Sequence, residues 1–529
     1  MSRWILREGL GGGQVPGFVP PSWVPTPVVD ASRFMFWSTR SRFPSGALVT
    51  AASATPYVMT RIVLASPTHV VTNPRFHFSG FACTEGSNSP QETVLPGNAM
   101  LIDGVWISVN GAAAIPLTFG GQAGVSIASG NVGAWTDEPT VSVPPEASVA
   151  VYTLYHTAAG EKQIPVYRVQ TARGERVWGA TDAASLTPML AAPATASTAS
   201  LDTGFGQSMP AYYGPDLTVA RGWDGRPVAI CMVDSIGEAR QEFAAEADAR
   251  GNLGWLRRWL DVDDQTYRRV PFMMMGCPGA GSVRELTTNA LLRWQVVDQA
   301  AGFNAGSALP FSVAIDQLGQ NDTNASAATM QNNWGILVDR FKTRYPGIKV
   351  VPAGTFPRTT STDLFTSRQG QTWATYNEWA TITNGWGNGN KSQLEAFKQA
   401  GAGGRTSGYI DTRAAWFDAA YPGTWPAIPE TYTLAAQAGT DGSTAYTSFQ
   451  TATAPRLADI LVGGGAALQV LAVTGTGPYT VTTSASTVVI PAGTAMRPQT
   501  SPEGVHLMSA MVAVAVATIP QSQKVSLGN

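Results

Sequence analysis

The spacing of apolar residues changes near residue 200 and divides this 529-residue chain into two parts. Before that point, short runs rich in Val, Ile, Phe and Tyr recur between turn residues, and several alternate apolar with polar positions, as half-buried strands do. Beyond about residue 221, short apolar runs alternate with segments of helical periodicity. A chain this long has more residues than usually fold around a single hydrophobic core. The sequence therefore predicts two domains with different secondary structure.

The first part, residues 1–200, is predicted to be an all-β sandwich or jelly roll, because its strand candidates are short and regularly spaced. These candidates are residues 57–65, 75–83, 100–109, 124–128, 140–143, 148–156 and 163–170. Residues 181–203 are rich in Ala, Thr, Ser and Pro without periodicity, which is typical of a linker.

The second part, residues 221–529, is predicted to be an α/β domain. Its strand candidates are residues 228–233, 271–276, 312–318, 349–353 and 408–411. Between them, Leu291, Trp294 and Val297 share one helical face, and Trp334 and Phe341 share another. Strands alternating with helices of this length predict a parallel sheet covered on both sides, with ligands beyond its carboxyl edge. Residues 431–500 break the alternation and are interpreted as a β-hairpin insertion.

Charge and composition argue against several classes of protein. Charged residues make up 13% of the chain and the net charge is -2, so no basic stripe is present to hold nucleic acid. The longest apolar run, residues 511–519, is too short to span a bilayer, and the first nine residues have no apolar run of the length that would predict a secretory signal. The compartment stays open on this basis, with extracellular and virion-associated locations both compatible. Three cysteines and no zinc-like Cys/His spacing predict neither a disulfide framework nor a metal site.

Polar or glycine-rich motifs directly follow three of the predicted parallel strands. Ser235 lies in Val-Asp-Ser-Ile-Gly at 233–237, where its hydroxyl would stand at a strand end beside a helix predicted to begin near residue 237. The glycine-rich segment 276–281 would let backbone N–H groups approach a ligand, and the amide of Asn321 could donate to an oxyanion. Taken alone, each motif is more typical of a helix cap or a turn than of a catalytic site.

The histidines add a base to this set. Of the four histidines, His69, His77 and His156 lie in the first part, which leaves His506 as the base candidate of the α/β part. Glu503 lies three residues earlier and could orient the imidazole and stabilise its charged form. A nucleophile, an oxyanion donor and a base with its own carboxylate are what ester hydrolysis requires.

Together these residues resemble the SGNH hydrolases, also called GDSL esterases and lipases, whose domain is a flavodoxin-like three-layer α/β sandwich. The resemblance implies that the hydroxyl of Ser235 is the nucleophile and that the backbone N–H of Ser235 is one of the oxyanion donors. It implies Gly279, or else Gly281, as the oxyanion glycine and Asn321, in Gly-Gln-Asn-Asp, as the oxyanion amide. The Thr-Phe-Pro-Arg stretch at 355–358 is also similar to the family.

The match departs from the family pattern at two positions. Val233 replaces the first glycine of the nucleophile motif, and Glu503 replaces the usual Asp of Asp-x-x-His, with His506 as the base. Some members use a Ser-His dyad, so loss of Glu503 is expected to lower activity without abolishing it. The segments 116–121 and 147–155 resemble the jelly-roll domain that precedes some esterases of this family.

The resemblance implies a serine esterase that needs no metal or cofactor and acts on an ester substrate. The favoured substrate is an acetylated carbohydrate, and a short-chain lipid or aryl ester is the alternative. A third reading is a carbohydrate-binding or phage-tail-like adhesion protein whose hydrolase part is vestigial. Asp234 and Trp386, the latter in a polar Gly- and Asn-rich loop, are predicted to contact the substrate.

Overall fold

The structure is a computed structural model that describes most of the chain. The described residues are 29–51, 56–83, 92–164, 173–191, 212–239, 247–263, 267–282, 285, 291–304, 308–322, 325–356, 359–361, 371–373, 382–383, 386–387, 389–412, 432–433, 448–451, 460–463, 466–474, 479–483, 495–498, 512 and 516–528.

The first half is built from antiparallel strands. They are β1 (Asp30–Phe36), β2 (Val49–Thr50), β3 (Tyr57–Ala65), β4 (Val71–Ser79), β5 (Phe81–Cys83), β6 (Glu92–Val94), β7 (Met100–Val109), β8 (Ile115–Leu117), β9 (Val125–Ile127), β10 (Gly133–Trp135), β11 (Ser142–Val143), β12 (Ser148–His156), β13 (Lys162–Gln163), β14 (Arg176–Ala180) and β15 (Leu217–Trp223). The predictions for β3, β7 and β12 are confirmed residue for residue. In place of the predicted strand 75–83 the structure has β4 and β5, which are separated at Gly80, where a Cβ would lie 2.2 Å from the carbonyl oxygen of Asn131.

Two larger sheets form this half. One has the order β1-β15-β4-β10, with β11 also on β4, and the other has the order β14-β3-β12-β7-β8, with β9 also on β7. Side chains alternate along β12: Val149 and Val151 face a cluster shared with Phe76 and Phe78 of β4, and Tyr152 faces away. The two sheets therefore share one core, as a packed pair of sheets requires. The jelly-roll topology itself stays a prediction.

The segment that follows β14 packs onto the first half. A 3₁₀-helix, Thr187–Ala191, follows Leu186, which is buried against Met59 and Trp178 on the outer face of the second sheet. Residues 192–203 of the predicted linker lie outside the described residues. The chain then returns to the first sheet as β15, between β1 and β4.

The second half contains a parallel sheet, as predicted. Its strands are β16 (Ala229–Met232), β17 (Phe272–Met274), β18 (Val313–Asp316) and β19 (Lys349–Pro352), in the order β17-β16-β18-β19. Of the predicted strand at 408–411, the structure shows one parallel bridge, from Ile410 to Ala353.

Helices accompany this sheet. They are α1 (Trp255–Leu260), α2 (Leu291–Gly302), α3 (Ala327–Arg344), α4 (Asn390–Gln399) and α5 (Val525–Gly528), the last preceded by a 3₁₀-helix at Gln521–Lys524. The predicted faces of α2 and α3 are buried at Trp294, Trp334 and Phe341, but Leu291 is 46% exposed at the first turn of α2. The hydroxyl of Ser326 caps α3 by accepting from the N–H of Thr329 at 3.2 Å.

Alternate residues of the parallel strands enter two different hydrophobic clusters. Ile230 and Met232 belong to a cluster that contains residues of α2 and α3, whereas Cys231 belongs to one that contains α1, Val512 and Ile519. Strands with apolar residues on both faces are typical of a buried parallel sheet.

Further strands lie between α3 and the chain end. They are β20 (Thr359–Ser361), β21 (Gln371–Trp373), β22 (Ile382–Thr383), β23 (Trp386–Gly387), β24 (Tyr432–Thr433), β25 (Ser448–Thr451), β26 (Ile460–Gly463), β27 (Ala466–Thr474), β28 (Tyr479–Thr483) and β29 (Ala495–Pro498). The predicted hairpin is present as β27 and β28, which pair antiparallel inside a six-stranded sheet of order β24-β29-β26-β27-β28-β25. No helix in the described part of the chain has the length and apolar character needed to cross a membrane.

The two halves share a continuous core. The rings of Phe36 and Phe311 stack with centroids 5.9 Å apart, and the N–H of Phe36 donates to the carbonyl of Pro310 at 3.1 Å. Asn304 pairs through its side-chain amide with both backbone groups of Phe34, at 2.8 Å each. Buried residues of both halves belong to one hydrophobic cluster, whereas two units joined only by a linker would each have a separate core.

Candidate functional site

Ser235 lies in a tight turn directly beyond the carboxyl end of β16, as the sequence predicts. The N–H of Glu238 donates to the carbonyl of Asp234 at 3.0 Å, which closes a helix-like turn around the serine. Gly237 is needed here because a Cβ at that position would lie 2.4 Å from Cβ of Val233. Residues 235–239 form this turn, so the helix predicted to begin near residue 237 does not begin there; residues 240–246 lie outside the described residues.

The carboxylate of Asp234 is part of this turn. Its Oδ1 accepts from the N–H of Ile236 at 2.9 Å, and the residue is wholly buried. Burial raises the pKa of Asp234 to about 7, although bonds from backbone N–H groups and from Gln317 and the charge of Lys391 oppose the shift. The carboxyl group therefore changes its charge near neutral pH, directly beside the candidate nucleophile.

The segment 276–281 lies against the serine turn. The N–H of Cys277 donates to the carbonyl of Val233 at 3.2 Å, and Gly279 has a φ of 78°, a conformation that other residues rarely adopt. Gly281 packs against Asp322, since a Cβ on it would lie 2.8 Å from Oδ1 of that carboxylate. These features favour Gly279 over Gly281 as the glycine that could present its N–H to a ligand.

Asn321 reaches the same segment from the end of β18. Its Nδ2 donates to the carbonyl of Ala280 at 2.8 Å, and the second hydrogen of that amide is not used in this bond. Asp322 holds the neighbouring backbone by accepting from the N–H and the hydroxyl of Ser282, at 3.0 and 3.1 Å. Hydrogen bonds thus join the segments that carry Ser235, Gly279 and Asn321 at the carboxyl edge of the sheet.

Two buried lysines of α4 support the Asn321 segment, and the sequence analysis did not identify them. Nζ of Lys398 donates to the carbonyl of Leu318 at 2.6 Å, and Nζ of Lys391 donates to Oε1 of Gln320 at 3.1 Å. Both side chains lie on the buried face of α4. Their seven-residue spacing places them on one helical face, a signal visible in the sequence.

The charge of Lys398 is balanced by two buried carboxylates. Its Nζ lies 3.4 Å from Oδ2 of Asp316 and 3.6 Å from Oε1 of Glu395, and all three side chains are fully buried. The indole N–H of Trp334 donates to Asp316 at 2.6 Å, and the hydroxyl of Tyr409 donates to Glu395 at 2.8 Å. Through the bond from Lys398 to the carbonyl of Leu318, this buried network supports the loop that follows β18.

Two of the three histidines of the first half, His77 and His156, are hydrogen-bonded to acidic neighbours. Nδ1 of His77 is 2.8 Å from Asp216, which also accepts from the hydroxyl of Ser79, and Nδ1 of His156 is 2.7 Å from Asp103. The His77 cluster contains serine, carboxylate and imidazole, but it is wholly buried in the core of the first half, so no substrate can reach it.

His69, the third of these histidines, is also buried. Burial lowers the pKa of His69 to about 4, against the opposing charge of Asp224.

The structure does not describe the side chains of three predicted site residues, His506, Glu503 and Trp386. His506 and Glu503 lie outside the described residues, and Trp386 is described in its backbone alone, as part of β23. Among the described residues, no group of three or more His, Cys, Asp or Glu side chains could hold a metal ion.

Comparisons with known proteins find similarity to solved structures alone. No protein-family model and no curated protein matches the chain. A carbohydrate acetylesterase from Sinorhizobium meliloti is 15% identical, with 37% of this chain and 89% of that chain covered and a TM-score of 0.23.

Two further solved structures are similar at the same level. A family-two carbohydrate esterase from Cellvibrio japonicus is 11% identical, with 67% and 89% covered and a TM-score of 0.21. A phospholipase A1 from Streptomyces albidoflavus is 15% identical, with 36% and 81% covered and the same TM-score. These values do not establish a family for this chain.

Proposed function

We propose that this protein is a carboxylic ester hydrolase with Ser235 as its nucleophile. The observation that carries the proposal is the hydrogen-bonded junction at the carboxyl edge of the parallel sheet. There the turn of Ser235, the segment of Gly279 and the side chain of Asn321 are joined through the carbonyls of Val233 and Ala280. A parallel sheet binds ligands at this edge, and the SGNH pattern in the sequence assigns residues 221–529 to a flavodoxin-like three-layer domain.

In this proposal, three donors stabilise the oxyanion that forms when the serine attacks. They are the backbone N–H groups of Ser235 and Gly279 and the second hydrogen of the Asn321 amide. The positive φ of Gly279 supports its role, because a residue without Cβ lets the backbone approach the substrate. Each donor of this kind is worth roughly 3–4 kcal/mol in the transition state.

The proposed base is His506, oriented by Glu503. Support comes from the chain downstream of the histidine: Val512 and Ile519 are buried in the same cluster as Val233 and Ile236. His506 and Val512 are six positions apart in the sequence, and an extended chain spans at most about 20 Å over that length. The burial of Val512 in this cluster supports the proposal that His506 is the base.

The reaction follows from these roles. His506 removes the proton of the Ser235 hydroxyl as the oxygen attacks the ester carbonyl, and it then protonates the leaving alcohol. Water deprotonated by His506 attacks the acyl-enzyme, and the carboxylic acid leaves as Ser235 regains its proton. The pKa of an ordinary imidazole is about 6.5, so turnover is expected to fall on the acid side of neutrality.

The proposed substrate is an acetylated carbohydrate, with Asp234 and Trp386 as predicted contacts. The complete burial of Asp234 supports a role in shaping the serine turn more directly than a role in touching the sugar. A short-chain lipid or aryl ester is the alternative substrate. A carbohydrate-binding adhesion protein with an inactive hydrolase half is the alternative without turnover.

One experiment separates these readings. The wild-type protein and Ser235→Ala are reacted with a fluorophosphonate probe and assayed with acetylated sugars and nitrophenyl esters of rising chain length. We expect labelling and acetyl release by the wild type, and neither by Ser235→Ala with its thermal unfolding unchanged. Labelling that persists in Ser235→Ala would remove the nucleophile assignment. A wild type that neither reacts with the probe nor cleaves any ester would favour the adhesion protein.

A further inference from the structure

Glu238 contacts both the turn that contains Ser235 and the start of the segment 276–281. It lies three residues after Ser235, and its N–H closes the serine turn on the carbonyl of Asp234. Its side chain, 2% exposed, lies against Gly276, where a Cβ would be 2.3 Å from both Cγ and Oε1 of Glu238. A shift of the Glu238 side chain would therefore disturb both the nucleophile turn and the start of the 276–281 segment.

Two guanidinium groups hold the Glu238 carboxylate. Nη2 of Arg257 from α1 and Nη2 of Arg42 lie 3.0 and 3.1 Å from the same oxygen, Oε2. Burial alone would raise the pKa of Glu238, but the charges of Arg257 and Arg42 outweigh burial and keep it below its usual value. Arg257 belongs to the α/β half, whereas Arg42 comes from the first half.

Arg42 is fixed between the two halves by its backbone. Its N–H donates to the carbonyl of Asp216 in the first half at 2.7 Å. On the other side, Met274 of β17 donates its N–H to the carbonyl of Ser41 at 3.0 Å, and Arg42 forms a parallel bridge with Met274. The segment thus extends the edge of the parallel sheet by a strand-like bridge and directs the Arg42 side chain to Glu238.

We propose that Arg42 is a positioning residue of the hydrolase site and that the first half is thereby a structural part of that site. The inference rests on the proposed function of Ser235. Arg42 acts through Glu238: it fixes the carboxylate that lies against Gly276 and on the serine turn. The oxyanion donors and the nucleophile then keep the mutual geometry that the transition state requires.

A second contact from the first half reaches the same segment independently. The carboxylate of Glu92 accepts from the N–H groups of Leu292 and Arg293, at 2.8 and 2.9 Å, at the start of α2. Arg293 in turn donates from Nη1 to the carbonyl of Met275 at 3.0 Å, directly before Gly276. Two residues of the first half, Arg42 and Glu92, therefore support the segment that contains Gly279: Arg42 acts through Glu238 and Glu92 acts through Arg293.

The test compares Arg42→Met with a matched control, Arg33→Met. Arg33 is also an arginine of the first half that contacts the α/β half: it donates to the carbonyl of Leu309 at 2.6 Å. Leu309 precedes the amino end of β18, at the sheet edge opposite the site. Both variants are made in the full chain and assayed with nitrophenyl acetate well below their thermal unfolding temperatures.

We expect Arg42→Met to lower kcat by about 10- to 100-fold with little change in KM, the range for small misplacement of reacting groups. Arg33→Met should keep the wild-type kcat, and Arg42→Lys, which keeps the positive charge, should recover part of the loss. In a Glu238→Gln background, Arg42→Met should have little further effect on kcat. Equal losses in Arg42→Met and Arg33→Met would instead show that the interface matters for stability alone, and the proposal would be overturned.

The design separates this inference from the proposed function. If Ser235→Ala abolishes labelling and turnover while Arg42→Met keeps the wild-type kcat, the esterase stands and the role of Arg42 is wrong. If Ser235→Ala is as active as the wild type, the esterase site is wrong and the role of Arg42 falls with it. A loss confined to KM in Arg42→Met would also contradict positioning of the reacting groups.

Discussion

Asp234→Asn is expected to make the protein more stable at neutral pH and above. Burial raises the pKa of this carboxyl from 3.8 to about 7, so ionising it in the folded state costs free energy. Asn has nearly the same shape, and its amide oxygen can still accept from the N–H of Ile236, which donates to Asp234 at 2.9 Å. The substitution therefore removes the charge and keeps the turn.

The magnitude and the sign follow from proton linkage. Between about pH 4 and pH 7 the folded protein keeps a proton on Asp234 that the unfolded chain has lost. The folded state then binds more protons, so the contribution of Asp234 to the free energy of unfolding falls as pH rises through that window. A shift of about three pKa units corresponds to on the order of 4 kcal/mol. The stability advantage of Asp234→Asn should grow from near zero at pH 4 toward that value at pH 8.

The assay is urea unfolding of both proteins at closely spaced pH values. The informative quantity is the difference between the two free energies of unfolding, because other buried carboxyls contribute equally to both proteins. Asp224→Asn serves as a control, because it should change the free energy of unfolding at neutral pH in the opposite direction. Burial alone would raise the pKa of Asp224, but its bond to Arg226 and the charge of that residue hold it below the usual value. That variant should be less stable than the wild type at neutral pH, and its deficit should shrink below about pH 4.

A difference between Asp234→Asn and wild type that stays constant from pH 4 to pH 8 would refute this reasoning. It would mean that Asp234 ionises in the folded protein as it does in the unfolded chain. The same variant also tests the origin of any pH dependence of turnover. If the acid limb belongs to His506, it should remain in Asp234→Asn.

Two further substitutions test the surroundings of the site. Asn321→Ala should lower kcat for nitrophenyl acetate by about two to three powers of ten, the usual cost of one oxyanion donor; an effect on KM alone would point to substrate binding. Lys398→Met should lower the free energy of unfolding by roughly 3–5 kcal/mol in urea titrations, because it leaves Asp316 and Glu395 buried without their cation. Adding Asp316→Asn should restore part of that loss, and no restoration would argue against a charge effect.

Sequence periodicity predicted much of the fold because the pattern is local. The strands β3, β7 and β12 are runs of nine or ten residues rich in apolar and β-branched side chains, and their predicted bounds are those observed. Short apolar runs also predicted the parallel strands. The observed β16, β17 and β18 are shorter than predicted at both ends, and β19 is shorter at its carboxyl end. The sequence did not predict the break between β4 and β5 at Gly80, where the chain packs against the backbone of Asn131, about fifty positions away.

The positions of Ser235 and Asn321, two residues of the candidate site, were predictable from the sequence for a similar reason. Ser235 and Asn321 each follow a strand of the parallel sheet, and strand ends meet at one edge in any such sheet. The packing of Gly281 against Asp322, which favours Gly279 as the oxyanion glycine, depends on a contact between two loops. The sequence showed two glycines in one motif and could not rank them by contact.

The sequence by itself determined which residue types stand at the ends of the parallel strands, because periodicity and motif spacing are properties of neighbours along the chain. Only the tertiary structure decided how those groups are supported. Arg42 meets Glu238 across 196 positions, the difference of their residue numbers, and Lys398 meets Leu318 across 80. Burial, which sets the pKa of Asp234, also depends on every segment that packs around it. Long-range contact and desolvation arise from the folded chain, so no local pattern encodes them.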